Sequence, residues 1–361
     1  MHKLLKFILF VLAFSCAREA EFENKYSLES VNSEDYVLLG IDQETPRFNN
    51  PSSFSSIETE ILFYNKINHS LYFYPFKIQS EKILPSLKLN LSTEGENRVP
   101  EVNAINYHSR DSVFLFNSIS KNLYLINSDG DLIDTFNVVS EGEIGFPIYP
   151  EVEVIGDLAF FPTVGYAKSD TKLKNKSLLI YNLKTKNSSY LLDMPADFQG
   201  YYADRGLFKE GAYVSHLNSY VICLSMGGDL LVYNLEEKSS KRIKVESNIY
   251  TDPETFNPDA DLEKRREYAK ENSWHDAIFY DPNTKLTVRS STLGVNSLED
   301  INSGLIEIFD DNLVKVGEFE GINFFKEVFS TEDGIYFADW SFDKENENII
   351  AYRKLKFNKL N

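Results

Sequence analysis

Residues Asp111–Phe136 read DSVFLFNSISKNLYLINSDGDLIDTF. Three apolar runs, Val113–Phe116, Leu123–Ile126 and Leu132–Phe136, are divided by the polar turns Ser118–Asn122 and Ser128-Asp129-Gly130-Asp131. Gly130 supplies the positive φ that a tight hairpin needs. Short aromatic and β-branched runs bounded by such turns read as antiparallel strands. The unit recurs along the chain, which points to a radial array of small sheets.

Working outward, the first unit holds Glu60–Tyr64, Leu71–Tyr74 and Ile83–Leu91, preceded by a loop-like Gln43–Ser56. The third holds Glu151–Ile155, Leu158–Thr163, Leu178–Asn182 and Ser188–Leu192. The fourth has Tyr220–Ser225, Leu230–Asn234 and Lys241–Val245, and the fifth Ala277–Tyr280, Leu286–Arg289, Leu305–Phe309 and Leu313–Phe319. The sixth has Phe324–Phe329, Gly334–Trp340 and Ile349–Tyr352. The centres of the third runs, Phe73, Leu125, Ile180, Val232, Glu307 and Ala351, stand 52, 55, 52, 75 and 44 residues apart. Four strands at such a period are the signature of a β-propeller. Several of these runs end in Asn (Asn127, Asn182, Asn234), whose side chain can bond the backbone of the next turn.

The sixth unit lacks one strand, and Tyr26–Glu29 and Tyr36–Ile41 are spare. Lending an N-terminal strand to the last sheet closes the ring and removes an open edge. The expected fold is therefore all-β, a six-bladed propeller over residues 26–361 with one helical insertion, 250–274. Seven blades is the alternative, because Tyr201–His216 has room for further strands.

The chain has 361 residues, 42% of them hydrophobic and 14% aromatic, enough for a large core. The net charge of −18 repels phosphate backbones, so no nucleic-acid partner is expected. Of the two cysteines, Cys223 sits in the apolar run YVICLSM and reads as a buried thiol. Cys16 ends a different kind of segment. Residues 1–15 carry Lys3 and Lys6 and then the apolar run Phe7–Phe14, the pattern of a secretory signal and too short to span a bilayer. Ala13-Phe14-Ser15-Cys16 resembles a bacterial lipobox, although Ala13 and Phe14 stand where that pattern favours Leu and a small residue. The resemblance implies lipidation at Cys16, a tether over 16–25, and a membrane partner through the lipid anchor. An ordinary secretory signal with Cys16 incidental is the plainer alternative. The expected address is the cell envelope, at the outer membrane, facing the periplasm or the surface.

The C-terminal third carries AIFYDPNTKLTVRSS (Ala277–Ser291), LIEIFDDNLVKVGEF (Leu305–Phe319) and EDGIYFADW (Glu332–Trp340). With the N-terminal Cys and the six units, this resembles a family of uncharacterised Bacteroidota propeller lipoproteins, the domain of unknown function 4221. Its members have an aromatic-Arg pair where this chain has Val288-Arg289, and the Gly-Glu found here as Gly317-Glu318. The resemblance implies a propeller at the cell envelope and no established activity.

No catalytic motif, cofactor fingerprint or metal-ligand spacing is present among the five histidines or elsewhere. Asp129-Gly130-Asp131 and Asp310-Asp311-Asn312 lack the distal Glu of a calcium loop and read as hairpin turns. The insertion is the candidate binding element. Asp259 is placed to cap a helix running through Leu262, Arg266 and Ala269. Arg265, Arg266, Tyr268, Trp274 and His275 combine aromatic and basic groups suited to a peptide or sugar face. A helix that packs its aromatics inward is the competing reading. The expected function is a non-enzymatic binding or scaffold lipoprotein with a protein, peptide or glycan ligand. The alternative is an envelope polysaccharide hydrolase or lyase with acidic residues near the central channel.

Overall fold

The repeated hairpins are set by one local device. An Asn or Asp at the end of a strand accepts backbone amides of the turn, and the residue four places on takes the left-handed conformation. Asn117 Oδ1 accepts from Ile119 and Ser120, and Lys121 has φ 58°. Asn182 Oδ1 accepts from Lys184 and Thr185, and Lys186 has φ 56°. The same arrangement joins Asn65 to His69, Asn234 to Lys238 and Asp281 to Lys285. The side chain replaces the acceptor that a regular ladder would offer, so the chain reverses without glycine. Asn127 and Asp310 also accept amides of their hairpin turns, but there the left-handed residue stands three places on, Gly130 at φ 89° and Leu313 at φ 61°.

The computed structural model describes residues 24–29, 36–45, 51–77, 82–95, 98–139, 151–163, 176–193, 195, 209–252, 261–295, 303–322, 328–339, 342 and 348–360. Cys16 and the signal-like segment lie outside these residues. Blade 1 is β3 (Ser52–Ser55), β4 (Glu60–Asn65), β5 (Ser70–Pro75) and β6 (Leu87–Asn90). Blade 2 is β7 (Ala104–Ser109), β8 (Ser112–Asn117), β9 (Asn122–Ile126) and β10 (Leu132–Asn137). Blade 3 is β11 (Glu153–Ile155), β12 (Leu158–Pro162), β13 (Lys176–Asn182) and β14 (Asn187–Asp193). Blade 4 is β15 (Lys209–Val214), β16 (Ser219–Leu224), β17 (Leu230–Asn234) and β18 (Ser239–Ile243). Blade 5 is β19 (Trp274–Asp281), β20 (Leu286–Thr292), β21 (Gly304–Phe309) and β22 (Lys315–Glu320). Blade 6 takes β23 (Val328–Thr331), β24 (Gly334–Ala338) and β25 (Ile349–Leu355), and adds β2 (Tyr36–Gly40) outside β25.

The ring is six-bladed and closed. One apolar core fills each of the six gaps between neighbouring blades. The closing gap packs Val37, Leu39, Tyr336 and Tyr352 of blade 6 against Ile61, Phe63, Tyr72 and Tyr74 of blade 1. Each fully buried Leu or Phe contributes about 1.5–3 kcal/mol, so every blade is held from both sides. The first strand of each blade lies innermost, and the inner strands support one another. Ser53 Oγ on β3, for example, accepts the free edge amide of Tyr107 on β7 at 2.9 Å.

Several sequence expectations are corrected. Gln43–Ser56 is not all loop, because Ser52–Ser55 is the inner strand of blade 1. The room at Tyr201–His216 is used by Lys209–Val214, the inner strand that blade 4 needed, so no seventh blade arises. Ile83–Leu91 is not continuous: Ile83 bridges to Leu39, and β6 starts at Leu87. Only one of the two spare N-terminal strands completes blade 6. The other, β1 (Tyr26–Leu28), pairs with β26 (Phe357–Lys359) in a small separate sheet. The inserted helix α1 (Leu262–Glu271) is capped by Asp261, whose side chain accepts the Lys264 amide, and Asp259 lies outside the described residues.

Candidate functional site

The insertion joins β18 to β19, and its base is locked to blade 5. Glu318 Oε1 on β22 accepts from Ser247 Oγ and the Ile249 amide, both at 2.9 Å. Ser247 Oγ in turn accepts the Tyr250 amide at 2.7 Å. Tyr250 is buried, stacks on His275 at 4.2 Å and donates its hydroxyl to Ser273 O. At the end of α1, Asn272 returns both its amide and its side chain to Tyr268 O. The helix end presses on Gly294 so closely that a Cβ there would stand 2.1 Å from Glu271 O. Only glycine permits that approach.

The five candidate residues separate into two groups. His275 is 2% exposed, shares a 2.7 Å hydrogen bond with Ser291 Oγ and donates its amide to Ser225 O. Burial, with the nearby Arg289 charge, holds its imidazole well below the ordinary histidine range, so it is neutral and faces inward. Trp274 is half-buried, and its indole donates to Asp276 Oδ1 at 2.8 Å. Asp276 Oδ2 accepts Thr292 Oγ1 at 2.6 Å, which holds the indole at one orientation. Tyr268 is half-buried with its hydroxyl 3.9 Å from Met226 Sδ, and Arg266 is exposed. Arg265 lies on α1 between Lys264 and Arg266, and its side chain is outside what the structure describes. Tyr268, Trp274 and Arg266 thus remain at the surface, while His275 belongs to the root.

Beneath this rim runs a buried chain of charge that sequence reasoning missed. Arg289 on β20 and Glu307 on β21 are both fully buried. Arg289 Nε donates to Glu307 Oε2 at 2.7 Å, and Nη1 donates to Gly228 O at 2.5 Å. Lys315 Nζ lies 3.8 Å from Glu307 Oε1 and also pairs with Glu318 Oε2. Two cations and two carboxylates neutralise one another, as burial requires. The Arg289 and Glu318 noted in the family motif are the two ends of this chain. The available signal was Glu307 itself, a carboxylate inside the apolar strand LIEIF.

A second polar feature lines the inner strands of blades 3 and 4. Glu153 Oε2 on β11 accepts the free edge amide of Tyr213 on β15 at 2.9 Å. Burial pushes its carboxyl up to about 8, against the Tyr213 amide and aided by Glu151. Glu210 on β15 is buried nearby, as is Tyr220, which stacks on Phe160 at 4.7 Å. Cys223 is a buried free thiol whose pKa burial raises. Among the described residues, no group of three or more His, Cys, Asp or Glu is arranged to hold a metal ion. Among them, no helix is long and apolar enough to cross a membrane.

No curated protein matches the chain. Among solved structures, a member of the DUF4221 family from Bacteroides vulgatus is similar over 93% of this chain and 99% of its own, at 14% identity and a TM-score of 0.75. A candidate exported protein from Bacteroides fragilis is similar over 92% and 97%, at 9% identity and a TM-score of 0.50. At these identities the likeness concerns the fold. The model of the family described as a domain of unknown function, DUF4221, matches residues 26–320, and the chain belongs to that family.

Proposed function

We propose that the chain is an exported lipoprotein of the cell envelope, held in a membrane by acyl chains on Cys16. Its propeller acts as a binding or scaffold domain, and the rim where blades 4 and 5 meet engages a protein, peptide or glycan. The observation that carries this reading is the pairing of an immobile base with an outward aromatic-basic surface. Tyr250, His275 and Ser273 fix the insertion, while Arg266 is exposed and Trp274 and Tyr268 are partly exposed beside it. Loops on a rigid scaffold are where binding residues concentrate, and pre-ordered aromatics bind at low entropic cost. Envelope proteins, peptide libraries and glycan arrays titrated against the mature chain test it. Trp274→Ala and Arg266→Ala are each expected to weaken the ligand by about tenfold, the effect of a central contact. Binding unchanged by both substitutions rules out this rim.

Glu153 favours a second reading, an envelope polysaccharide hydrolase or lyase. A carboxyl raised to about 8, with Glu151 nearby as a second acid, has the character of the general acid in sugar-chain cleavage. Turnover on a glycan panel, abolished by Glu153→Gln with the fold intact, supports it. No turnover on any member of the panel removes it.

A further inference from the structure

The chain enters the propeller at its outer wall, not at its axis. The Asn24 side chain lies along the free edge of β22, where Nδ2 donates to Glu318 O at 3.1 Å and Oδ1 accepts the Glu318 amide at 2.7 Å. The Lys25 amide donates to Val316 O, and the Leu360 amide to Lys25 O, each at 2.8 Å. The β1–β26 sheet thus continues the edge of blade 5 outward. Its apolar side packs Tyr26, Leu28 and Phe357 with Phe319 on the core between blades 5 and 6.

The distance back to Cys16 is short. Eight Cα steps separate it from Asn24, a reach of at most about 28 Å. A folded chain of this length has a radius of gyration of about 21 Å, so the tether is shorter than the body is wide. Acyl chains on Cys16 therefore reach a bilayer only if the wall of blade 5 is near it, and blade 2 lies across the ring.

The surface at this entry point suits lipid. Val314, in the turn before β22, is 55% exposed, and Leu360, bonded to Lys25, is 49% exposed. Lys25 and Lys359 are exposed beside them in a chain of net charge −18. Glu29, Asp310 and Asp311 are the neighbouring acids, and the last two lie close enough to raise the Tyr26 hydroxyl. With two lysines against three acids the patch carries no basic excess, so it is the exposed apolar tips, Val314 and Leu360, that suit the interfacial layer of a bilayer.

We propose that the outer wall of blade 5, centred on the β1–β26 sheet, is the surface that lies against the membrane. This rests on the lipid-anchor reading of Cys16. It places the ring edge-on to the bilayer, with blade 2 farthest from it.

The test couples the mature chain through the Cys16 thiol to maleimide lipid in vesicles of mixed zwitterionic and anionic phospholipid. Buried Cys223 does not compete for the coupling. Leu360→Trp, Val314→Trp and Ile119→Trp are compared on brominated and ordinary acyl chains, with the parent chain's signal subtracted. Ile119, on the turn between β8 and β9 of blade 2, is 72% exposed and serves as the far reference. The tryptophans at 360 and 314 are expected to be quenched roughly twofold or more beyond that at 119, because only they reach the acyl region. Equal quenching, or stronger quenching at 119, overturns the proposal. The mass of the N-terminal peptide from exporting cells is read separately. An unacylated Cys16 removes the anchor and with it the reason for this wall to face lipid. Acylated Cys16 with uniform quenching overturns the orientation alone.

Discussion

Arg289 donates Nε to Glu307 Oε2 at 2.7 Å between the second and third strands of blade 5, and neither side chain meets solvent. The pair belongs to a neutral chain that continues through Lys315 to Glu318 and the base of the insertion. Removing one member leaves a buried charge without its counterion. Glu307→Ala is therefore expected to cost about 3–5 kcal/mol, and Arg289→Met with Glu307→Leu together much less than the single change. Denaturant unfolding of the three proteins checks this. Equal losses for the single and double variants would show that volume, not charge, holds the site.

Glu153 sets a pH dependence. Its folded carboxyl is raised to about 8, against an unfolded value near 4.5. The folded state then binds more protons than the unfolded state between these values, so stability falls as pH rises through that window. The slope from one proton is at most about 1.4 kcal/mol per pH unit. Glu153→Gln keeps the acceptor for the Tyr213 amide and removes the titration. The parent chain should lose stability relative to Glu153→Gln from about pH 4.5 to about 8. Parallel melting curves across this range would contradict the assignment.

Gly294 fits only because it has no Cβ. Gly294→Ala brings a methyl to 2.1 Å from Glu271 O, a backbone atom that cannot move without the helix. A cost of about 1–3 kcal/mol is expected from the overpacking. Proteolysis within the insertion should accelerate while blades 1–3 stay resistant. Unchanged cleavage would mean that α1 is not seated on this loop.

Much of the fold is legible in the sequence, and the failures share a cause. All six third-strand centres, from Phe73 to Ala351, fall on third strands, because those strands are rich in buried apolar residues and four of them run into an Asx turn, at Asn127, Asn182, Asn234 and Asp310. The inner strands SSFS and KEGAYV were invisible as strands. They are short or glycine-bearing and border the channel, so they lack the apolar alternation that marks a strand. The helix cap slipped by two residues because Asp259 and Asp261 both satisfy the local pattern. At the rim, the aromatic cluster was readable but its orientation was not. A bulge between His275 and Ala277 breaks the alternation that would have told inside from outside. The charge chain links three strands, and no local signal connects Arg289 to Glu307.

Ring closure gives Leu39 a defined value. It is fully buried in the core between blades 6 and 1, within a strand contributed from the N-terminus. Leu39→Ala should cost about 2–5 kcal/mol. Leu28→Ala on β1, only half-buried, should cost well under half as much in the same assay. Similar losses at the two sites would mean that β1, rather than β2, seals the ring.

Native-state hydrogen exchange over Tyr36–Gly40 tests the closed ring most directly, because β2 is paired with β25 along its whole length. Its bonded amides are expected to exchange as slowly as those of the central strands of blade 6, opening only with the whole domain. Exchange at unfolded-chain rates over Tyr36–Gly40, with Ile349–Leu355 still protected, would contradict it.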